Sequence, residues 1–143
     1  MLSVFLRWLG FSAVLHLVWE IAQLPLYTIY REGDLATIAF AVGHCTAGDL
    51  LISAATYLAA GLVARSGGWP LERPGTGLAA AVAVGMAYTA FSEWLNVSVR
   101  GSWEYAPAMP QLFGIGLAPL FQWLAIPTLT LFAVRRTKLG RLI

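Results

Sequence analysis

The chain has 143 residues, of which 59% are hydrophobic and 11% charged, too few charges to clothe a soluble globule of this size. Composition therefore points to a membrane. The nine Lys and Arg, against seven Asp and Glu, form no basic stripe interleaved with aromatic residues, which excludes nucleic acid as a partner. The single cysteine, Cys45, excludes an internal disulfide.

Four apolar segments, about 8–30, 36–64, 77–99 and 113–134, exceed the ~20 helical residues that cross a ~30 Å hydrocarbon layer. The fold expected is all-α, a polytopic integral membrane four-helix bundle forming a single transmembrane domain over residues 1–143. The first segment imitates a signal peptide, with Arg7 ahead of the apolar run. That run continues through Glu20 to Tyr30 without a small-x-small cleavage site, so a retained helix is expected. His16, Glu20 and Gln23 fall on one face of it at spacings of four and three, and Pro25 lies near its end.

On the second segment Cys45 and Asp49 share a face. His44 and Asp49 differ by five residues, about 140° around the axis, so both avoid lipid only if this helix has protein on two sides. The third segment carries Gly77, Ala81 and Gly85, a small-residue stripe that reads as a packing seam. Further along it, Thr89, Glu93, Asn96 and Arg100 make a polar stripe. The following loop, RGSWEYAPAMPQLF, holds Trp103, Tyr105, Pro107 and Pro110 and reads as an interfacial hairpin or a lid, with Arg100 available to an anionic headgroup or to Glu93. Gln122 on the fourth segment is flanked by Pro119 and Pro127, which are expected to bend that helix.

Four crossings put Arg7, Arg65, Arg73, Arg135, Arg136, Lys138 and Arg141 on one side and only Arg31 and Arg100 on the other. The positive-inside rule then places both termini in the cytoplasm and the chain in a bacterial inner membrane. Trp8 and Trp69 on the inner side, with Tyr27, Tyr30, Trp103 and Tyr105 on the outer, are expected to form interfacial aromatic belts.

A charged group at the centre of a membrane helix costs roughly 2.5–3.5 kcal/mol, so Glu20, Asp49 and Glu93 together oppose insertion by about 7–10 kcal/mol unless paired or neutralised. Counting ~1.5 Å per residue from the outer boundary places His16 and Asp49 about 20 Å deep, Glu20 and Gln122 about 15 Å, His44 about 12 Å and Glu93 about 9 Å. His16 is therefore expected to meet Asp49, and Glu20 to meet His44, with Glu93 and Asn96 above them. Trp19, Trp94 and Trp123 are candidates to line a pocket. Each polar residue alone has a structural explanation, since membrane histidines and amides commonly serve as interhelical hydrogen bonds and a membrane carboxyl can stay protonated.

The leading functional expectation is an intramembrane enzyme, metal-dependent or acid-base, acting on a lipophilic or isoprenoid-like molecule. Glu20, Asp49 and Glu93 are its candidate catalytic groups. His16, Glu20, His44 and Glu93 are the candidate ligands for zinc or iron, although no HExxH or other metal spacing is present. Gln23, Asn96, Arg100, Trp103, Tyr105 and Gln122 are the candidates to bind substrate. Alternatives are a proton-coupled transporter or relay working as a homo-oligomer, a b-type haem carrier using His16 and His44, and an accessory subunit whose polar core only specifies helix pairing. Membrane lipids are the expected surroundings.

Overall fold

The outward and inward faces of the helices invert the usual pattern of a soluble protein. On α1, Leu2–Gln23, the residues at four-residue spacing that turn inward are Val4, Trp8, Ser12, His16 and Glu20, followed by Gln23. Leu6, Val14, Leu17, Val18 and Ile21 face out, each more than 40% exposed. The computed structural model describes residues 2–139; Arg141 lies outside them, as does the side chain of Lys138.

Proline ends α1, because Pro25 cannot continue the amide ladder, and the chain passes through a tight turn at Leu24–Leu26 into extended Tyr27. The first segment is thus helical from Leu2 to Gln23, not to Tyr30. A short turn, Ile29–Glu32, leads to Asp34, whose carboxylate caps α2, Leu35–Ala64, by accepting from the Thr37 amide at 2.8 Å. This hydrogen bond holds the Asp34 carboxyl below the ordinary aspartate range. α2 closes on Arg65 in the left-handed region, φ 52°, where the Ser66 amide reaches back to Gly61 O at 3.0 Å.

α3, Pro74–Glu93, begins with proline where its missing amide costs nothing. It runs on as a wider π-turned stretch, Trp94–Val99. The chain then doubles back through residues 100–110, which dock on the end of α1 by Thr28 N to Glu104 O and Ala106 N to Leu26 O bonds of 3.0 and 2.9 Å. A two-residue hairpin, β1 Gln111–Leu112 with β2 Ile115–Gly116, turns at Phe113 and Gly114, both with positive φ. α4, Leu117–Leu139, follows directly, later than the expected start at 113. Pro119 consequently falls in its first turn, where it bends nothing, and only Pro127 is interior.

α1 packs beside α2 and α4, and α3 packs beside the same two, giving a four-helix arrangement with α1 diagonal to α3. The stretches Leu2–Leu26, Leu35–Ala64, Pro74–Val99 and Leu117–Thr137 are each long and apolar enough to cross a membrane. The seam at Gly77, Ala81 and Gly85 accepts indole rings: a Cβ at Gly77 would land on Trp69, and one at Gly85 on Trp123. Trp8 and Trp69 are 1% and 0% exposed and stack edge to face with Tyr57 close by, so they plug one end of the bundle instead of forming an interfacial belt. The Trp69 indole donates to Tyr57 O at 3.1 Å.

Candidate functional site

The inward stripe of α1 delivers His16 and Glu20 to the bundle axis, and the four-residue repeat Cys45, Asp49, Ser53 on α2 delivers Asp49 and Ser53 opposite them. Gln122 enters from α4 and joins the set. Its amide nitrogen lies 2.8 Å from His16 Nδ1, 2.7 Å from Asp49 Oδ2 and 3.3 Å from Glu20 Oε1. With the amide nitrogen facing it, His16 Nδ1 accepts, and Nε2–H is left to donate to Ser53 Oγ at 3.2 Å. His16 Nδ1 also stands 3.4 Å from Asp49 Oδ2. Trp123 backs the imidazole, ring centroids 5.2 Å apart, and Gly85 makes room for that indole.

One amide nitrogen has two hydrogens and here faces three acceptors. Two of those acceptors are carboxyls. Like charges about 4 Å apart repel by about 4 kcal/mol at an effective dielectric constant of 20, and a proton held between Glu20 and Asp49 removes that repulsion. Glu20 is further held by Gln23, which donates to Oε1 at 2.7 Å while its own carbonyl accepts from Trp19 Nε1 at 3.0 Å. His16 is fully buried and Glu20 is 8% exposed, whereas the Asp49 side chain keeps 15% exposure. The group is therefore closed on the α1 side and opens slightly past α2.

Glu93 occupies a separate station at the end of α3. Its Oε2 accepts from the Tyr105 hydroxyl and, at 3.5 Å, from the Tyr27 hydroxyl. The direction at Tyr105 is fixed by its second bond, since the same oxygen accepts from the Gly116 amide at 2.9 Å. Tyr27 and Tyr105 pair across the isolated bridge that docks the 100–110 loop on α1. Burial first, then the neighbouring Glu93 carboxyl, pushes both phenols above the ordinary tyrosine range, so both are donors. Trp103, whose buried indole N–H has no hydrogen-bond partner, stands beside the same carboxyl. A recess of about 360 Å³ lies outside this group, walled by Tyr27, Thr28, Glu32, Trp103 and Glu104.

Of the residues singled out from the sequence, His16, Glu20, Asp49, Gln23 and Gln122 come together, and Glu93, Trp103 and Tyr105 form the second group. His44 joins neither. It faces outward and stacks on Phe40, 5.6 Å between centroids, because α1 and α3 both meet α2 on its inward part and the 140° offset from Asp49 turns His44 away from them. The expected Glu20–His44 meeting is replaced by Glu20–Asp49. Asn96 bonds back to Ser92 on its own helix, and Arg100 is exposed without reaching Glu93. Trp94 is half exposed and lines nothing.

Among the described residues no three His, Cys, Asp or Glu side chains come close enough to hold a metal ion, so His16, Glu20, His44 and Glu93 are not a ligand set. His16 and His44 do not flank a common space, which removes the geometric basis for bis-histidine haem. Trp123, a candidate pocket residue from the sequence, packs on His16, whereas Ser53 and Tyr27 are members of the site that the sequence reading does not include. Ser53 was legible, four residues beyond Asp49, whereas Tyr27 was indistinguishable from an interfacial anchor. Compared with protein-family models, curated proteins and solved structures, the chain matches none.

Proposed function

We propose that the chain is an integral membrane protein with both termini in the cytoplasm, and that its polar core is an acid-base catalytic centre for a lipophilic molecule. The observation that carries this reading is the convergence of His16, Glu20 and Asp49 on the single Gln122 amide inside a bundle whose outer face is apolar. Ionisable groups in such a setting are expensive, and they are retained where they move protons or bind polar parts of a substrate. A wholly structural core would be served as well by neutral amides and hydroxyls.

Acid-base chemistry is favoured over a metal centre because the point on which His16, Glu20 and Asp49 converge is taken by the Gln122 amide nitrogen, a hydrogen-bond donor that leaves no place there for a cation. It is favoured over a proton channel by the aromatic plug of Trp8, Tyr57 and Trp69, which closes the end rich in Arg65, Arg73 and Arg135. The substrate approaches from the bilayer along the partly exposed Asp49 side chain, and Gln23, Gln122 and Ser53 position the reacting groups.

The test uses protein in lipid nanodiscs, in D2O, with a panel of linear isoprenoid alcohols. Mass spectrometry is expected to find carbon-bound deuterium in at least one of them, with incorporation lost about 10²–10⁴-fold in Asp49→Asn. Equal incorporation in the variant, or none across the panel, counts against an enzyme.

A further inference from the structure

α2 carries a polar group where its neighbours in the fold offer it nothing. Leu35 to His44 is nine residues, about 14 Å along the helix, so His44 lies inside the hydrocarbon layer. Its ring stacks on Phe40 and is hydrogen-bonded to nothing among the described residues. Among those residues it is the one Asp, Glu, Lys, Arg or His exposed away from the ends of a span. His16, Glu20 and Glu93 are buried, Asp49 is partly buried, and Arg135 and Arg136 lie in the last turn of the fourth span. Lipid tails have no hydrogen-bonding group, and an imidazole is too short to reach a headgroup at that distance.

His44 belongs to a stripe. Phe40, His44, Ala47, Leu51, Ala55 and Leu58, at spacings of four, three, four, four and three, share one face and are all exposed, Phe40 by 73% and Leu51 by 74%. α1 and α3 meet α2 on its opposite face, where Ser53, Thr56, Tyr57 and Ala60 are buried. Beyond His44 small and large residues alternate along the stripe, so Leu51 or Leu58 of one helix can fill the space over Ala47 or Ala55 of another. We propose that this stripe is the seam of a two-fold dimer: a second copy of the chain packs its own α2 against it, with the two His44 rings hydrogen-bonded to each other. Copies inserted in the same sense hold their helices parallel and their His44 rings at one depth. A two-fold axis normal to the membrane then sets each ring against its counterpart. A neutral imidazole has one N–H donor and one acceptor nitrogen, so two of them complement each other, as an imidazole and a lipid tail do not. One polar residue in an otherwise apolar seam also fixes its register. The inference rests on the membrane reading above and not on the catalytic one. Because the seam lies on the far side of α2 from Asp49, pairing leaves the approach to Asp49 open.

The test uses the full chain in phosphatidylethanolamine/phosphatidylglycerol vesicles. Retention in the vesicle fraction after an alkaline carbonate wash checks the membrane reading by itself; release would end that reading and the dimer with it. Wild-type copies carrying donor or acceptor dyes at the N terminus are expected to show energy transfer above the random-proximity level, declining on lipid dilution as a monomer–dimer equilibrium requires. Transfer at the random level overturns the dimer and leaves membrane insertion standing. His44→Leu is expected to weaken association about 5–30-fold, and His44→Asn, which keeps a donor and an acceptor, to stay within about 3-fold of the wild type. Undiminished association in His44→Leu overturns the imidazole pair. With Cys45→Ala removing the native thiol, oxidation is expected to cross-link copies through Ala47→Cys and Leu51→Cys, and not through Val14→Cys or Val18→Cys on the outward face of α1. Cross-links through the α1 positions alone, or none at either seam position, overturn the seam.

Discussion

Replacing Gln122 by leucine isolates the contribution of the central amide, because leucine fills a similar volume and leaves no large cavity. An ordinary interhelical hydrogen bond in a membrane protein averages only about 0.6 kcal/mol, so loss of one neutral contact would barely register. Gln122 is different in its partners: an imidazole at 2.8 Å and a carboxyl at 2.7 Å, with a second carboxyl at 3.3 Å. Hydrogen bonds to charged groups contribute about 1.5–3 kcal/mol, and acceptors left buried without a donor add their desolvation cost. Gln122→Leu should therefore lower stability by about 3 kcal/mol, read from reversible unfolding in mixed detergent micelles. Asp49→Asn removes the charge that makes the amide valuable, so the two substitutions should couple by about 1–2 kcal/mol in a double-mutant cycle. A loss below about 1 kcal/mol, additive with Asp49→Asn, would refute the placement of Gln122 at the centre.

Gly85→Ala should destabilise by about 1–3 kcal/mol, since the new methyl meets the Trp123 ring, and Gly85→Ala with Trp123→Leu should recover part of that loss. Gly43→Ala, where a Cβ meets nothing within 4 Å, should instead be neutral or stabilise by up to about 1 kcal/mol through helix propensity, measured the same way. The Asp34 cap should respond to acid: a carboxyl held below its unfolded value stabilises the folded chain above pH ~4 and loses that contribution as pH falls through the lower folded value. Hydrogen exchange at Thr37 should speed up on acidification relative to that trend in Asp34→Asn, which caps without titrating. Tyr105→Phe should loosen the 100–116 loop, seen as faster exchange at the Gly116 amide that now lacks its acceptor.

Much of the site was readable because helical spacing is local. The four-residue repeat that puts His16 and Glu20 on one face of α1 follows from 3.6 residues per turn alone, and so does the divergence of His44 from Asp49. Which of those two α2 residues turned inward depended on how many neighbours that helix has, a tertiary fact absent from spacing. Gln122 reaches Asp49 on α2 and both His16 and Glu20 on α1, a meeting of three helices that pattern could only suggest through matching depth. Trp8 and Trp69 were misplaced for a different reason: an aromatic residue near the end of an apolar segment serves equally as an interfacial anchor or as a plug, and the glycine that admits the Trp69 ring lies on another helix. The expected end of α1 at Tyr30 overshoots because apolar composition continues past Gln23 while Pro25 changes the backbone, whereas the third span does run to Val99, its last six residues as a π-turned stretch.

The most direct measurement is solid-state NMR on the protein in lipid bilayers, with labelled glutamine, histidine and aspartate side chains. The Gln122 side-chain nitrogen should show through-space correlations to His16 Nδ1 and to the Asp49 carboxyl carbon in the same sample, at short mixing times. A Gln122 nitrogen correlated with neither, or a His16 ring whose nitrogens exchange freely with water, would contradict a single buried centre built from α1, α2 and α4.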